Sequence, residues 1–310
     1  MKSPFFEKRR GGRVGRPVSS RAADGLVKRL IVINGWVAIV ILAAIFVFLA
    51  LNSQRALGET GFLTMITGTQ WFPTIDVPRF GFVPLIAGSA LVTFTALFLS
   101  VPVSLAAAVY ISEFAPGTVK EVAKAITEFM AAVPSVVYGF IGLAVVVPWV
   151  KETFELASGF SALSAGIVLA FMIAPTIVSI SEDALHAVPD SLRQGSLALG
   201  NTRWQTTYKV VLPSASSGVL AAVMLGMGRA IGETMAVLML TGNAAVIPGS
   251  VFDSVRTITG TIAAEMGNAV QGGLHQSALF NLGLVLFSMT FVINLIADLV
   301  LEKQRRRWQR

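Results

Sequence analysis

The chain has no cysteine among its 310 residues, only two histidines, and few charges. Without cysteine there is no disulfide, no thiol nucleophile and no thiolate metal site. His186 and His275 stand far apart, and neither belongs to a metal-ligand spacing. The absence of HExxH, GxSxG and Gly-x-Gly-Asp leaves an intramembrane hydrolase without a catalytic constellation. A GxxxxGK[ST] phosphate loop is absent too, so if ATP drives this protein, another chain hydrolyses it.

Charged residues make up 13% of the chain, against about 25% in a soluble domain. What fills their place is apolar: 54% of residues are hydrophobic and the mean hydropathy is +0.73. Several apolar runs exceed the roughly 18 residues that suggest a membrane helix. The reading is an all-α polytopic membrane protein with six spans: Ile31 to Leu51, Phe82 to Ile111, Val122 to Val150, Ala162 to Ile180, Gly218 to Leu240 and Ser277 to Val300. The first run is too long for the core of a cleaved signal peptide and reads as a retained anchor.

Lysine and arginine set the orientation. Nine precede Leu30, five follow Glu302, Lys120 and Lys124 share one loop, and three lie between Leu185 and Pro213. The alternate loops hold only Arg55, Arg79, Lys151 and Arg256. The positive-inside rule then puts both termini in the cytoplasm. The net charge of +7 thus mostly reports topology, and nucleic acid is not an expected partner. Residues 1–30, basic and glycine-containing, are expected to be disordered against anionic lipid head groups. After the anchor at 31–51 comes an external loop at 52–81, then a core at 82–300 and a basic tail at 301–310.

Pro102, Pro134 and Pro175 fall inside the second, third and fourth runs. Proline removes a backbone hydrogen bond, and within lipid only protein or water can make good the loss. The kinks serve either packing or a bundle of broken helices around a pathway. The stretch GMGRAIGETMAVLML, residues 226–240, sets Arg229 and Glu233 in the middle of an apolar run. A charge at mid-membrane costs about 2.5–3.5 kcal/mol on insertion scales. Four residues apart, the two share a helix face and can pair. Either they form a structural ion pair, or Arg229 faces a water-accessible pathway and meets an anion that Glu233 holds or gates. Gly228 and Gly232 have the GxxxG spacing of close helix packing. Glu128 reads as an interfacial residue near the cytoplasmic end of its run.

The cytoplasmic loop VPDSLRQGSLALGNTRWQTTYKVVLP, residues 188–213, is the most specific soluble feature. Ser191 and Gln194 have capping-box spacing, Gly200 is placed to end the helix they start, Thr202 and Gln205 repeat the spacing, and Pro213 ends the second helix. Leu192, Leu197 and Leu199 are candidates to dock in a partner's groove. The alternative is an ordinary amphipathic linker.

This loop resembles the EAA motif of ABC-importer permeases, a Glu-Ala-Ala triplet, a glycine, then a Leu-Pro ending. Here the triplet is Gln194-Gly195-Ser196, followed by Gly200 and, after nine residues, Val210-Val211-Leu212-Pro213. The spacing matches while the triplet departs, so no carboxylate contact is available at Gln194. AAVPSVVYG, 131–139, and GRAIGETMAV, 228–237, resemble the phosphate-specific permeases, and the Glu-Thr-Met-Ala-Val ending the PstC-type subunit rather than its PstA-type partner. The resemblance implies the type I ABC-importer permease fold in a bacterial inner membrane. It also implies a second, PstA-like permease subunit, two copies of an ATP-binding subunit that holds ATP and Mg, and an external phosphate-binding protein. No cofactor is expected in this chain. Arg229, Glu233, Thr234 and Ser135 would line the route of inorganic phosphate, and Ser191, Gln194, Gly195, Ser196 and Gly200 would couple to the ATPase. A sulfate or molybdate permease is the nearest alternative. An ion-coupled secondary transporter, with Glu233 carrying protons, is the alternative of another class.

Overall fold

The computed structural model describes the backbone of residues 18–308 and the side chains of residues 25–302. The chain up to Phe48 forms one unit and Leu49–Arg310 a second. In the first unit, helix α1 (Val18–Thr60) exposes its side chains from Gly25 to Phe46, and continues into the second unit. Residues 18–30 are helical, which corrects the expectation of disorder over 1–30 for that part; residues 1–17 lie outside the described residues.

The stretch after the anchor is ordered rather than a bare loop. It holds the end of α1, helix α2 (Phe62–Thr67) and a two-stranded hairpin, β1 (Trp71–Phe72) against β2 (Arg79–Phe80), in the register Trp71 with Phe80. Trp71, Phe80 and Phe82 bury their rings with Met65, Leu85, Ile258, Leu279 and Leu282 in one apolar cluster. Glu265 binds this cap from within, accepting from the Trp71 indole at 3.1 Å and pairing with Arg256 and His275.

The main core is built on two long helices, α3 (Val83–Val109) and α7 (Ala162–His186). They touch closely because a glycine allows it: a Cβ at Gly166 would stand 2.5 Å from Thr95 Cγ2. Val92, Ala96, Leu169, Met172, Ile173 and Ile177 fill the seam. Pro102 and Pro175 sit inside these two helices without ending either. A π turn, Tyr110–Phe114, closes α3.

The apolar run at 122–150 is not one span. Helix α4 (Gly117–Ala132) buries no residue and stops at the extended pair Val133–Pro134. Helix α5 (Ser135–Ile141), a π turn and α6 (Val147–Thr153) then form one apolar segment of spanning length. A residue before proline disfavours the helical region, which places the break at Val133.

The loop at 188–213 folds into α8 (Asp190–Ala198), α9 (Arg203–Thr206), a π turn and α10 (Leu212–Ser214). Helix α11 (Ser216–Gly232) follows at an angle of 69°. The turn falls at Ala215 and not at Pro213, because proline is tolerated in a helix's first turn. Helices α12 (Met235–Leu240), α13 (Ile258–Glu265) and α14 (Leu274–Trp308) complete the chain. Among the described residues, five helices are long and apolar enough to cross a membrane, six if the bent pair at Ala215 counts as one.

Candidate functional site

Arg229 and Glu233 do not share a helix face. Helix α11 ends at Gly232, Glu233 is extended (φ −67°, ψ 134°) and α12 starts afresh at Met235. The expected i, i+4 pair is therefore not formed. A helix interrupted at membrane depth leaves amide groups that need partners, and these residues supply them. The Glu233 carboxylate accepts from the Ala236 amide at 3.3 Å, and its own carbonyl accepts from the Thr259 hydroxyl at 2.7 Å. Thr234 donates to the Gly232 carbonyl at 3.3 Å. Glu233 and Thr234 thus hold the break open.

Arg229 lies one turn before this break on an exposed face of α11. Its guanidinium donates to the Thr176 hydroxyl of α7 at 3.3 Å, and among the described residues no carboxylate pairs with it. Thr176 is ten residues from the end of α7, about 15 Å at 1.5 Å per residue, so Arg229 meets α7 near the middle of that helix. The same face opens on a cavity of about 560 Å³ lined by Gly228, Arg229, Thr290, Asn294 and Asp298. Gly228 and Gly232 pack against nothing, so the GxxxG reading fails within this chain. The close approach is made by Gly226, where a Cβ would stand 2.7 Å from Ile177 Cγ1. Ser135 is half-buried at the first turn of α5, which packs on α12 through Gly139, against Met239 and Ala236. Ser135 is not in hydrogen-bonding contact with Arg229 or Glu233.

In the loop at 188–213 the two expected capping boxes part company. Thr202 and Gln205 form theirs, with the Gln205 amide donating to the Thr202 hydroxyl at 3.2 Å and the Thr202 amide to the Gln205 carbonyl at 2.9 Å. Ser191 and Gln194 do not: α8 starts one residue earlier at Asp190, after Pro189, with no side-chain cap. Gly200 has φ +85° and turns the chain between α8 and α9. Ser196 is buried and shares hydrogen bonds with Thr206 at 2.9 Å and Asn201 at 3.1 Å, which fixes the two helices to each other. Gly195 has open space where a side chain would be. Leu192, Leu197 and Leu199 remain exposed.

Three residues outside the sequence reading fasten this loop and its neighbours. Arg193 of α8 pairs with Glu113 in the π turn at 2.9 Å and donates to the Leu185 and Val188 carbonyls at the end of α7. The Glu113 carboxylate, by hydrogen bonding, holds the guanidinium above its ordinary range. Glu182, one turn inside α7, is 2% exposed and meets two lysines of α4, Lys124 at 2.6 Å and Lys120 at 2.9 Å, the latter off the hydrogen-bonding direction. The hydrogen bond to Glu182 raises the Lys124 ammonium above its usual value. The signal for Glu182 was present in the string Ile180-Ser181-Glu182-Asp183, where an apolar run turns acidic beside a helix carrying two lysines four apart.

Apolar helices broken at membrane length, with a folded two-helix loop between two of them, make this chain a membrane transport protein of the broken-helix class. The chain belongs to the family of binding-protein-dependent transport system inner membrane components, which matches residues 100–310. The chain is 40% identical over 287 residues to the probable ABC transporter permease protein YqgH of Bacillus subtilis, covering 91% of this chain and 93% of that one. It is 32% identical over 302 residues to the phosphate transport system permease protein PstC of Haemophilus influenzae, covering 91% and 94%. Among solved structures, a bacterial alginate ABC transporter in complex with a pentasaccharide-bound periplasmic protein superposes with a TM-score of 0.62 at 15% identity, over 91% of this chain and 96% of that one. The MetNI methionine ABC transporter does so at 0.55 and 19% identity, over 71% and 94%. These two share the fold of this chain.

Proposed function

We propose that this chain is a permease subunit of an ATP-driven phosphate importer, with six spans and both termini in the cytoplasm. The observation that carries the reading is Arg229: a guanidinium exposed on one helix face, donating to a threonine hydroxyl and, among the described residues, in ion-pair contact with no carboxylate, Asp298 lining the same cavity without reaching it. A cation left without a counter-ion in an apolar helix is costly unless its partner is a passing anion. Arginine offers a fixed fork of donors that suits a tetrahedral oxyanion shedding water. Relatives named as phosphate transport permeases favour phosphate over sulfate or molybdate. Thr176 holds the guanidinium in place, and Glu233 and Thr234 keep the helix broken beside it. Ser135 enters the same route from α5. A second, PstA-like permease faces the exposed side of α11. Two ATP-binding subunits, carrying ATP and Mg, dock on the α8–α9 loop through Ser191, Gln194, Gly195, Ser196, Gly200 and the exposed leucines. A phosphate-binding protein approaches the hairpin end.

The test is reconstitution with the partner subunits and the binding protein in lipid vesicles. ATP-dependent uptake of phosphate, with sulfate and molybdate failing to compete, is the expected result. Uptake of sulfate in its place overturns the cargo. Orientation is read separately: single cysteines at Gly61 and Gly249 react with an impermeant thiol reagent added to intact cells, and one at Ser196 does not. Labelling at Ser196 from outside overturns the topology.

A further inference from the structure

Helix α4 has an inverted arrangement for a surface helix. Its apolar stripe, Val119, Val122, Ile126 and Phe129, faces outward, while Lys120 and Lys124 turn inward onto the buried Glu182. No residue of α4 is fully buried, and these two ion pairs are its charged contacts with α7. Its far end is tied to the pathway. The Tyr138 hydroxyl of α5 donates to the Met130 carbonyl of α4 at 2.9 Å, bridging the break at Val133–Pro134, and α5 begins with Ser135 and leans on α12. Glu182 stands six residues beyond Thr176 on α7, about 9 Å along the helix. One carboxylate thus joins α7, on the Thr176–Arg229 side, to α4, whose far end is tied to α5 on the Ser135 side. The last turn of α7 is also where Arg193 of the cytoplasmic loop is bound.

We propose that Glu182, with Lys120 and Lys124, is a positioning clamp that makes α4–α5 and α7 move together when the cytoplasmic loop is displaced, so that ATP hydrolysis changes both walls of the Arg229 pathway. The proposal rests on the permease reading above and adds to it residues that contact neither the transported ion nor the nucleotide. Coupling between sites needs a contiguous element that both ends bias, and here α7 and the clamp supply it. Lys124 makes the shorter, hydrogen-bonded contact and Lys120 keeps a counter-charge 2.9 Å from the carboxylate, so Lys124→Gln loosens the clamp without stranding Glu182 unpaired.

The experiment uses the reconstituted complex with Lys124→Gln and Lys124→Arg. Phosphate taken up per ATP hydrolysed falls about 5-fold or more in Lys124→Gln, in the range of measured coupling energies, while ATP hydrolysis and membrane abundance persist; Lys124→Arg restores it. A second readout does not depend on the cargo. A cysteine at Ser135, in a chain with no native cysteine, is labelled by a thiol reagent at a rate that changes when ATP and vanadate are added. That change is lost with Lys124→Gln. If the wild-type complex takes up no phosphate, the cargo assignment fails and the labelling arm decides the clamp alone. An unchanged uptake-to-hydrolysis ratio, or an ATP-dependent labelling change that survives in Lys124→Gln, overturns the clamp.

Discussion

Glu182 and Arg229 are both charges inside apolar helices, and their surroundings are opposite. Glu182 is buried and has two cations on it; Arg229 is exposed and has a hydroxyl. Moving a charge out of water is tolerated when the protein itself supplies the counter-charge, and Glu182 is such a case. Arg229 has its guanidinium positioned by Thr176 and, among the described residues, paired with no carboxylate. The contrast separates a charge that fastens helices from one that, on the function proposed above, meets the transported anion.

The sharpest way to break this comparison is to remove the waiting charge. Arg229→Gln abolishes phosphate uptake, a loss of roughly 30-fold or more for a charge-assisted contact worth about 2–5 kcal/mol, while abundance and thermal stability stay at the wild-type level. Lysine restores little, because it lacks the planar fork. Glu233→Gln sharpens the same point. Were Glu233 the counter-ion of Arg229, its removal would strand a charge and destabilise the protein. With the helix broken between them, the amide oxygen of glutamine can still accept from Ala236, so Glu233→Gln stays folded and differs from wild type in uptake alone. Uptake and unfolding temperature in detergent, measured for both variants, check this pair. A strongly destabilised Glu233→Gln would restore the ion-pair reading.

The next effect concerns the fastening charge. Removing both lysines, Lys120→Gln with Lys124→Gln, leaves a buried carboxylate uncompensated, at a cost of about 3–5 kcal/mol. Adding Glu182→Gln removes that stranded charge, so the triple variant recovers most of the stability that the double loses. Membrane abundance and unfolding temperature follow this order if Glu182 is buried and paired. A triple variant as unstable as the double would show that the lysines matter for another reason.

Much of the fold is legible in the sequence because apolar length and charge asymmetry are properties of continuous segments. The long runs at 82–111, 162–180 and 277–300 each lie within one helix or a helix and its closing turn. What the sequence conceals is where a run is interrupted. Val122 to Val150 reads as one span because α4 carries its stripe in the same register of apolar residues, and it is the extended pair Val133–Pro134 that separates it from α5. Gly232-Glu233-Thr234 reads as helix because glutamate is a good helix former, and tertiary contacts, the Thr259 bond among them, override that preference. Arg229 is visible in the sequence as a charge inside an apolar run, though read with Glu233 as a possible pair; Thr176 is not, because a threonine in a membrane helix is unremarkable until its partner is known. The hairpin cap was hidden for a similar reason. Its strands are two residues each, below any periodic signal, and its hub Glu265 is far away in sequence.

The smallest effect tests local chemistry within the cytoplasmic loop, where two similar motifs have different outcomes. Thr202 accepts from the Gln205 amide and is a true cap, so Thr202→Ala costs about 1 kcal/mol, the usual value of a lost N-cap. Ser191 lies inside α8, after the helix has started at Asp190, and its side chain caps nothing, so Ser191→Ala stays within about 0.5 kcal/mol. Both substitutions delete one hydroxyl at a position with the same spacing to a glutamine, which makes each the control of the other. The readout is amide hydrogen exchange over residues 203–207, because a frayed first turn raises exchange there without unfolding the bundle. Faster exchange in Thr202→Ala, with none in Ser191→Ala, is expected. Helices α8 and α9 remain joined in both variants, because the Ser196 to Thr206 hydrogen bond is untouched. Equal exchange in the two variants would mean that the Thr202 box contributes nothing, and that Ser196 alone holds the second helix in place.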